Sequence, residues 1–200
     1  EIRNFFATRS FLATADFLQG IGLGDEFVDY QVNAPGNVDG VAHINGYELN
    51  VSQPLSFFTR ASFARYFRVF ANTTLVRTAG PQEADFRGFT PKMINWGFFY
   101  NRNPVAFNAR WTLVGKKRVG TIGAANIGAN GWNYQQERLR LDASLDYRLT
   151  RRYALYATGR NVFNNRDSNE SYAIGSPRYV KFAAEGEYGV TFQVGVKGNF

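Results

Sequence analysis

Few side chains in this sequence could do chemistry, and their spacing argues against most chemistries. His43, in "VAHIN", is the single histidine. A Ser-His-Asp triad needs an imidazole held between a nucleophile and a carboxylate. No G-x-S-x-G elbow occurs to supply one. His43 therefore reads as a structural or surface residue. With no cysteine in the chain, thiol nucleophiles, disulfides and Cys-ligated metals are excluded together. Asp39 and Glu48 lie too far apart along an extended "DGVAHINGYE" to share one calcium. The stretches "GIGLGDE" and "GTIGAANIGANG" are glycine-rich, but neither leads from a strand into a helix with the Lys-Ser/Thr of a phosphate cradle. They read as flexible loops. The expectation is a protein without covalent chemistry, metal or cofactor.

Charge is where the sequence is richer. In "RLRLDASLDYR", Arg138, Arg140, Asp142, Asp146 and Arg148 alternate with Leu139, Leu141, Ala143, Leu145 and Tyr147. Period two marks a strand that shows one oily and one ionic face. Arg160 adds to the ionic row from "YALYATGRNVF". The plain reading of that row is a solvated wall laced by cross-strand ion pairs.

The same alternation runs through most of the chain. Tyr47, Leu49 and Val51 oppose Gly46, Glu48, Asn50 and Ser52; Phe107, Ala109, Trp111 and Leu113 oppose Asn108, Arg110 and Thr112. Tyr188, Val190, Phe192, Val194, Val196 and Phe200 fall on one face of the last segment. About eight strands are predicted, over 1–9, 40–52, 67–78, 90–101, 105–117, 136–148, 153–163 and 188–200. Most approach the roughly 9–11 residues that cross a bilayer when tilted. The connections alternate between short ones (101–104, 149–152) and long ones (about 10–39, 79–89, 118–135, 164–187), with a medium one at 53–66 that could hold a helical turn. Short turns at one end and long loops at the other match an outer-membrane-type barrel. The best helical candidate, 11–27, lies inside a long connection.

Composition bounds the alternatives. The chain carries 19 Phe, 11 Tyr and 3 Trp in 200 residues, rings that must be buried in a core or against lipid. Its formal net charge is +7, but the cations are scattered along strands rather than clustered in runs, so no nucleic-acid partner is expected. There is no run of about 18 apolar residues for a spanning helix. Alternation alone leaves two architectures open: a soluble sandwich or barrel with the oily rows inward, or a membrane barrel with them outward. Tyr and Trp near strand ends favour lipid, as does a last strand in phase with a full apolar face.

At this point the residues resemble a family. "LTRRYALYATGRNVFNN" is similar to the penultimate strand of TonB-dependent outer-membrane receptors, with Asn161, Val162, Phe163 and Asn164 in the place of its N-hydrophobic-F-N signature. "GYELNVSQPL" resembles the family's G-x-E strand through Gly46 and Glu48, and "RVFANTTLVRT" its FANxT strand through Phe70, Ala71, Asn72 and Thr74. "YGVTFQVGVKGNF" resembles its closing strand. The resemblance covers about residues 40–200. It implies an antiparallel transmembrane β-barrel with long extracellular loops and short periplasmic turns, in the outer membrane of a Gram-negative bacterium. Because family barrels have about 22 strands and a plug domain, residues 1–200 are expected to be a C-terminal part, with plug and N-terminal strands absent. A truncated gene product is the other reading. The implied function is uptake of a scarce large nutrient, such as a ferric siderophore, cobalamin or an oligosaccharide. The implied partners are membrane lipid, the plug domain of the same protein, the TonB complex and the barrel-assembly machinery, which reads Tyr188, Val190, Phe192, Val194, Val196 and Phe200. Glu48, Asn72, Arg138, Arg140, Asp142, Asp146, Arg148 and Arg160 would face the lumen and plug. Trp132, Asn133, Tyr134 and Tyr172 are the loop residues expected to meet cargo. The alternative is a self-contained small β-barrel acting as a passive porin-like channel or a soluble ligand binder.

Overall fold

Strands dominate the computed structural model, which describes residues 2–3, 6–37, 40–80, 88–122 and 131–198. The chain divides into two units, 1–45 with 77–86, and 46–76 with 87–200. In the first, β1 (Ile2–Arg3) pairs with the start of β4 (Val41–Pro54), and β2 (Phe6–Leu12) pairs antiparallel with β3 (Gln31–Asn37). Between β2 and β3 lies α1 (Ala15–Gly20). Thr14 caps it, its hydroxyl accepting from Phe17 N at 3.3 Å, which satisfies one of the free donors of the first turn. Leu18 on this helix is fully buried. The predicted 11–27 helix is thus only six residues long, followed by a 3-10 turn over Asp25–Phe27. The expected strand 1–9 lies partly outside the described residues; what is described of it forms β1 and part of β2.

The second unit is built on long strands: the rest of β4, then β5 (Phe67–Ala79), β6 (Lys92–Arg102), β7 (Val105–Val114), β10 (Arg138–Arg148), β11 (Tyr153–Arg160) and β14 (Thr191–Gly198). Their order in the sheet follows this sequence order, and every register determined within the unit is antiparallel. Hairpin pairing of this kind needs only short connections, which is why sequence neighbours become sheet neighbours. Among the described residues the row is open: β1, beside β4, and β14 are its outermost strands and no pairing joins the two ends. The all-β antiparallel expectation holds; among the described residues no closed barrel is found.

Four further strands lie where long loops were expected. They are β8 (Lys117–Thr121), β9 (Trp132–Gln135), β12 (Asp167–Tyr172) and β13 (Phe182–Gly186), and they form a separate sheet ordered β13-β12-β9-β8. Each continues a neighbouring long strand after a break: β7 into β8 past Gly115, β9 into β10 past Gln136, β11 into β12 through 161–166, and β13 into β14 past Gly189. "DSNESY" has no apolar row, so period two is invisible in it, and "WNYQ" alternates rings with amides over only four residues, too few to stand out from a loop. Residues 123–130 and 81–87, parts of two predicted loops, lie outside the described residues.

The break at β11 is made by the signature residues. Asn161 and Asn164 both have left-handed backbone (φ 52 and 50), and Asn164 N donates to Asn161 O at 2.7 Å, closing a tight turn. Asn tolerates that region better than other non-glycine residues. The buried Asn161 holds the turn in place. Its amide donates to Asn165 O and Gly189 O (both 3.1 Å), its side-chain oxygen accepts from Asn165 N, and its own N donates to Asp142 Oδ1 at 3.0 Å. Opposite this turn, Gly189 at φ +72 ends the strand path, so β14 begins at Thr191. Tyr188 and Val190, read as strand residues, therefore precede it, and Phe200 lies outside the described residues.

The registers put the apolar side chains in rows. Val69, Phe98, Ala109, Ala143, Gly159 and Phe192 are successive cross-strand partners from β5 to β14. Ala71, Trp96, Trp111 and Leu141 make a parallel row, and the Trp96 and Trp111 rings stack with centroids 6.4 Å apart. A large aromatic lies over a glycine at Gly159, whose missing side chain leaves room for the Phe192 ring. The opposite face carries Asn72, Asn95, Thr112, Arg140 and their neighbours, with Thr112 Oγ1 donating to Asn95 Oδ1 at 2.9 Å. It is not purely polar: Phe70 and Phe99 pack there at 5.2 Å.

What is missing is a dry interior. Among the described residues of this unit, the buried apolar side chains are Ala64 and Ala109. Phe192, Val194 and Val196 are 70%, 79% and 64% exposed. Rows this apolar, left uncovered, are far beyond the scattered surface apolars of ordinary soluble domains.

Candidate functional site

Two groups of side chains stand out on this scaffold: an ionic face on the large sheet, and a ring-and-cation cluster on the four-stranded sheet.

The ionic face follows from the alternation of β10. Asp142 is directly opposite Arg110 of β7, and their charges lie 3.6 Å apart. Asp146 pairs with Lys197 across β11, from β10 to β14. The strongest pairing involves a residue that the sequence did not single out. Asp167, at the start of β12, receives Arg138 Nη1 at 3.0 Å and Arg140 Nη2 at 3.0 Å. The Asp167 side chain is only 13% exposed, so these bonds form with much of the water already gone. Asp167 sits in "NNRDSNESY", a segment with no apolar periodicity. Its only signal was a carboxylate just beyond the N-x-F-N turn.

Beside this group lies a recess of about 360 Å³ lined by Arg138, Arg140, Arg160, Asn161, Asp167 and Thr191. Arg140 Nε is buried there without a hydrogen-bond partner, and Arg148 and Arg160 have no carboxylate partner among the described residues. Three guanidinium groups against one carboxylate leave the recess electropositive. Of the remaining residues assigned to this face, Asn72 is half-buried opposite Asn95, and Glu48 is exposed on β4 between Tyr47 and Leu49. Neither joins the arginine cluster by any bond.

The second group gathers three of the four residues expected to meet cargo. Trp132 is the partner of Tyr172, and Tyr134 of Glu170, across β9 and β12. Tyr134 and Tyr172 stack with centroids 4.4 Å apart at 16°. Lys116 Nζ sits 4.5 and 4.7 Å from those two ring centres and donates to the Tyr172 hydroxyl at 2.5 Å. Lys181 lies over Tyr172 at 4.4 Å, and Arg118 over Trp132 at 4.7 Å. Ring faces carry negative quadrupole potential, so each cation is held there by roughly 0.5–1 kcal/mol. Asn133 is placed on the other face of β9, where its Oδ1 accepts from Ser171 Oγ at 2.5 Å. Sequence reading missed Lys116, Arg118 and Lys181, because nothing local marks a lysine that will cap a ring from another strand.

His43 is exposed in the first unit, and no set of three or more His, Asp or Glu side chains placed to hold a metal occurs among the described residues. No helix of the structure is long and apolar enough to cross a membrane, which says nothing of strands that cross. Fold and side-chain geometry define an antiparallel all-β protein that carries an arginine cluster and a cluster of rings and cations as candidate binding surfaces. Comparison of the chain with protein-family models, curated proteins and solved structures yields no match.

Proposed function

We propose that the chain is barrel wall and outer loops of a TonB-dependent receptor in a Gram-negative outer membrane, importing a scarce large nutrient. The observation that carries the reading is the uncovered apolar face, in register from β5 to β14, set against an opposite face of ion pairs. In water that face would drive the sheet to fold on itself or on a partner. Against acyl chains it is the stable arrangement, with the charged face turned to an aqueous lumen. The open row fits one arc of a larger barrel, since unpaired strand edges in lipid cost several kcal/mol per backbone group. The electropositive recess at Arg138, Arg140 and Arg160 is where an acidic segment of a plug would lie. The rings and cations around Trp132, Tyr134 and Tyr172 are where cargo would be met. A soluble binder would instead have to cover Phe192, Val194 and Val196 with protein.

The test uses the absence of cysteine. Single cysteines are placed along β14 from Thr191 to Gly198 in the full chain, and probed in cell envelopes. Positions 192, 194 and 196 should react with a lipid-soluble maleimide and resist a charged one; 191, 193 and 197 should do the reverse. Uniform labelling by the charged reagent would end the membrane assignment.

A further inference from the structure

One end of the large sheet collects the whole net charge of the protein. The antiparallel order brings the connection 53–68, the hairpin 100–106, the hairpin 146–154 and the end of β14 to the same side. In sequence these segments are far apart. Together they carry Arg60, Arg65, Arg68, Arg102, Arg148, Arg151, Arg152 and Lys197, eight cations, against Asp146 alone, which is +7. The chain has 23 cations and 16 acids, so everything else balances at 15 against 15.

The segments meet in the fold. Tyr66 lies against Tyr100, with the Arg65 and Arg102 guanidinium groups 4.8 and 5.1 Å from its ring centre. Arg148 N donates to Pro104 O at 2.8 Å, which ties one hairpin to the next. Interleaved with the cations are bare hydrocarbon groups. Phe57, Phe58 and Phe63 are 73%, 63% and 56% exposed, and Leu149 is exposed beside Arg151 and Arg152.

We infer that the rim cations outside the lumen-facing row, Arg60, Arg65, Arg102, Arg151 and Arg152, bind the phosphate groups of anionic phospholipids in the leaflet at the short-turn end, while Arg68, Arg148 and Lys197 lie on the ionic face. The inference rests on the membrane reading above and goes beyond it. Cations at the depth of the phosphates, with aromatics reaching just below them, are what a charged bilayer surface attracts. A flat nucleic acid or acidic protein would meet the arginines but leave the phenylalanines in water. The acyl region accepts both.

The test again uses the cysteine-free background. A fluorophore is attached at Leu149→Cys at the rim, and separately at Val194→Cys on the apolar face, in the full chain reconstituted into bilayers. Brominated phosphatidylglycerol and brominated phosphatidylcholine are then compared as quenchers. At the rim the anionic lipid should quench at about tenfold lower mole fraction. That preference should shrink as KCl is raised, and should vanish in an Arg151→Glu/Arg152→Glu background. The label at position 194 should be quenched by both lipids alike. Equal quenching by both lipids at the rim, with position 194 still quenched, overturns this inference and leaves the membrane reading standing. No quenching at either position overturns both. A rim preference indifferent to KCl, or one abolished by added duplex DNA, also overturns it. The salt titration needs no substitution in the rim arginines, so it decides the matter even if the double variant does not fold.

Discussion

The large sheet and the four-stranded sheet above it share the same hairpins but obey different physics. In β7, β10, β11 and β14 one residue in two is apolar, and the resulting face is uncovered. In β8, β9, β12 and β13 there is no continuous oily row. Their strands are held by a ring stack, cations on rings, and ion pairs such as Lys116–Glu170 at 3.6 Å and Arg166–Glu187 at 3.2 Å. On the membrane reading proposed above, the difference would fall where the low-dielectric surround stops. The breaks at Gly115, Gln136, Asn161 and Gly189 divide the two sheets, and the Asn161 turn is their best-bonded member.

The largest effect is expected on the apolar face. Val194→Arg should cost about 2–4 kcal/mol of folding free energy in a bilayer, read by gel mobility after refolding into vesicles. Gln193→Arg, one residue away on the ionic face, should leave it nearly unchanged. Equal effects would mean that the two faces share one environment.

Next comes the boundary. Asn161→Ala removes the three side-chain hydrogen bonds of Asn161 and puts alanine at a left-handed position, and it should lower stability by about 2–3 kcal/mol in chemical denaturation. Asn161→Gly keeps the backbone freedom and should recover part of that loss. Asp167→Asn joins the two sheets less tightly by weakening its bonds to Arg138 and Arg140. The expected cost is about 1–2 kcal/mol, discounted because both arginines remain partly exposed. On the upper sheet, Tyr172→Phe deletes the hydroxyl that accepts from Lys116 while keeping the ring stack. It should cost roughly 0.5–1.5 kcal/mol, and cargo affinity, measured by titration, should fall more than stability if the cluster is the contact surface.

Much of the large sheet was legible because alternation is a local property. Leu139 through Tyr147 alternates whether or not β7 lies beside it, so seven of the predicted strands coincide in place with observed ones. The upper strands were not legible. In "DSNESY" both faces are polar, and a segment of that kind pairs only because its neighbours are delivered to it. The same limit hid Asp167, whose partners Arg138 and Arg140 stand 29 and 27 positions earlier, and Lys116, 56 positions from Tyr172.

From the sequence alone came the strand periods, the two-sided rows, the absence of thiol chemistry and the total charge. Those depend on residue identity and nearest spacing. Which residues share a row across strands, which carboxylate meets which arginine, and the gathering of eight cations against one acid at one rim were decided only by the fold. Each depends on strand order and register, which bring together residues that no short stretch of chain can relate.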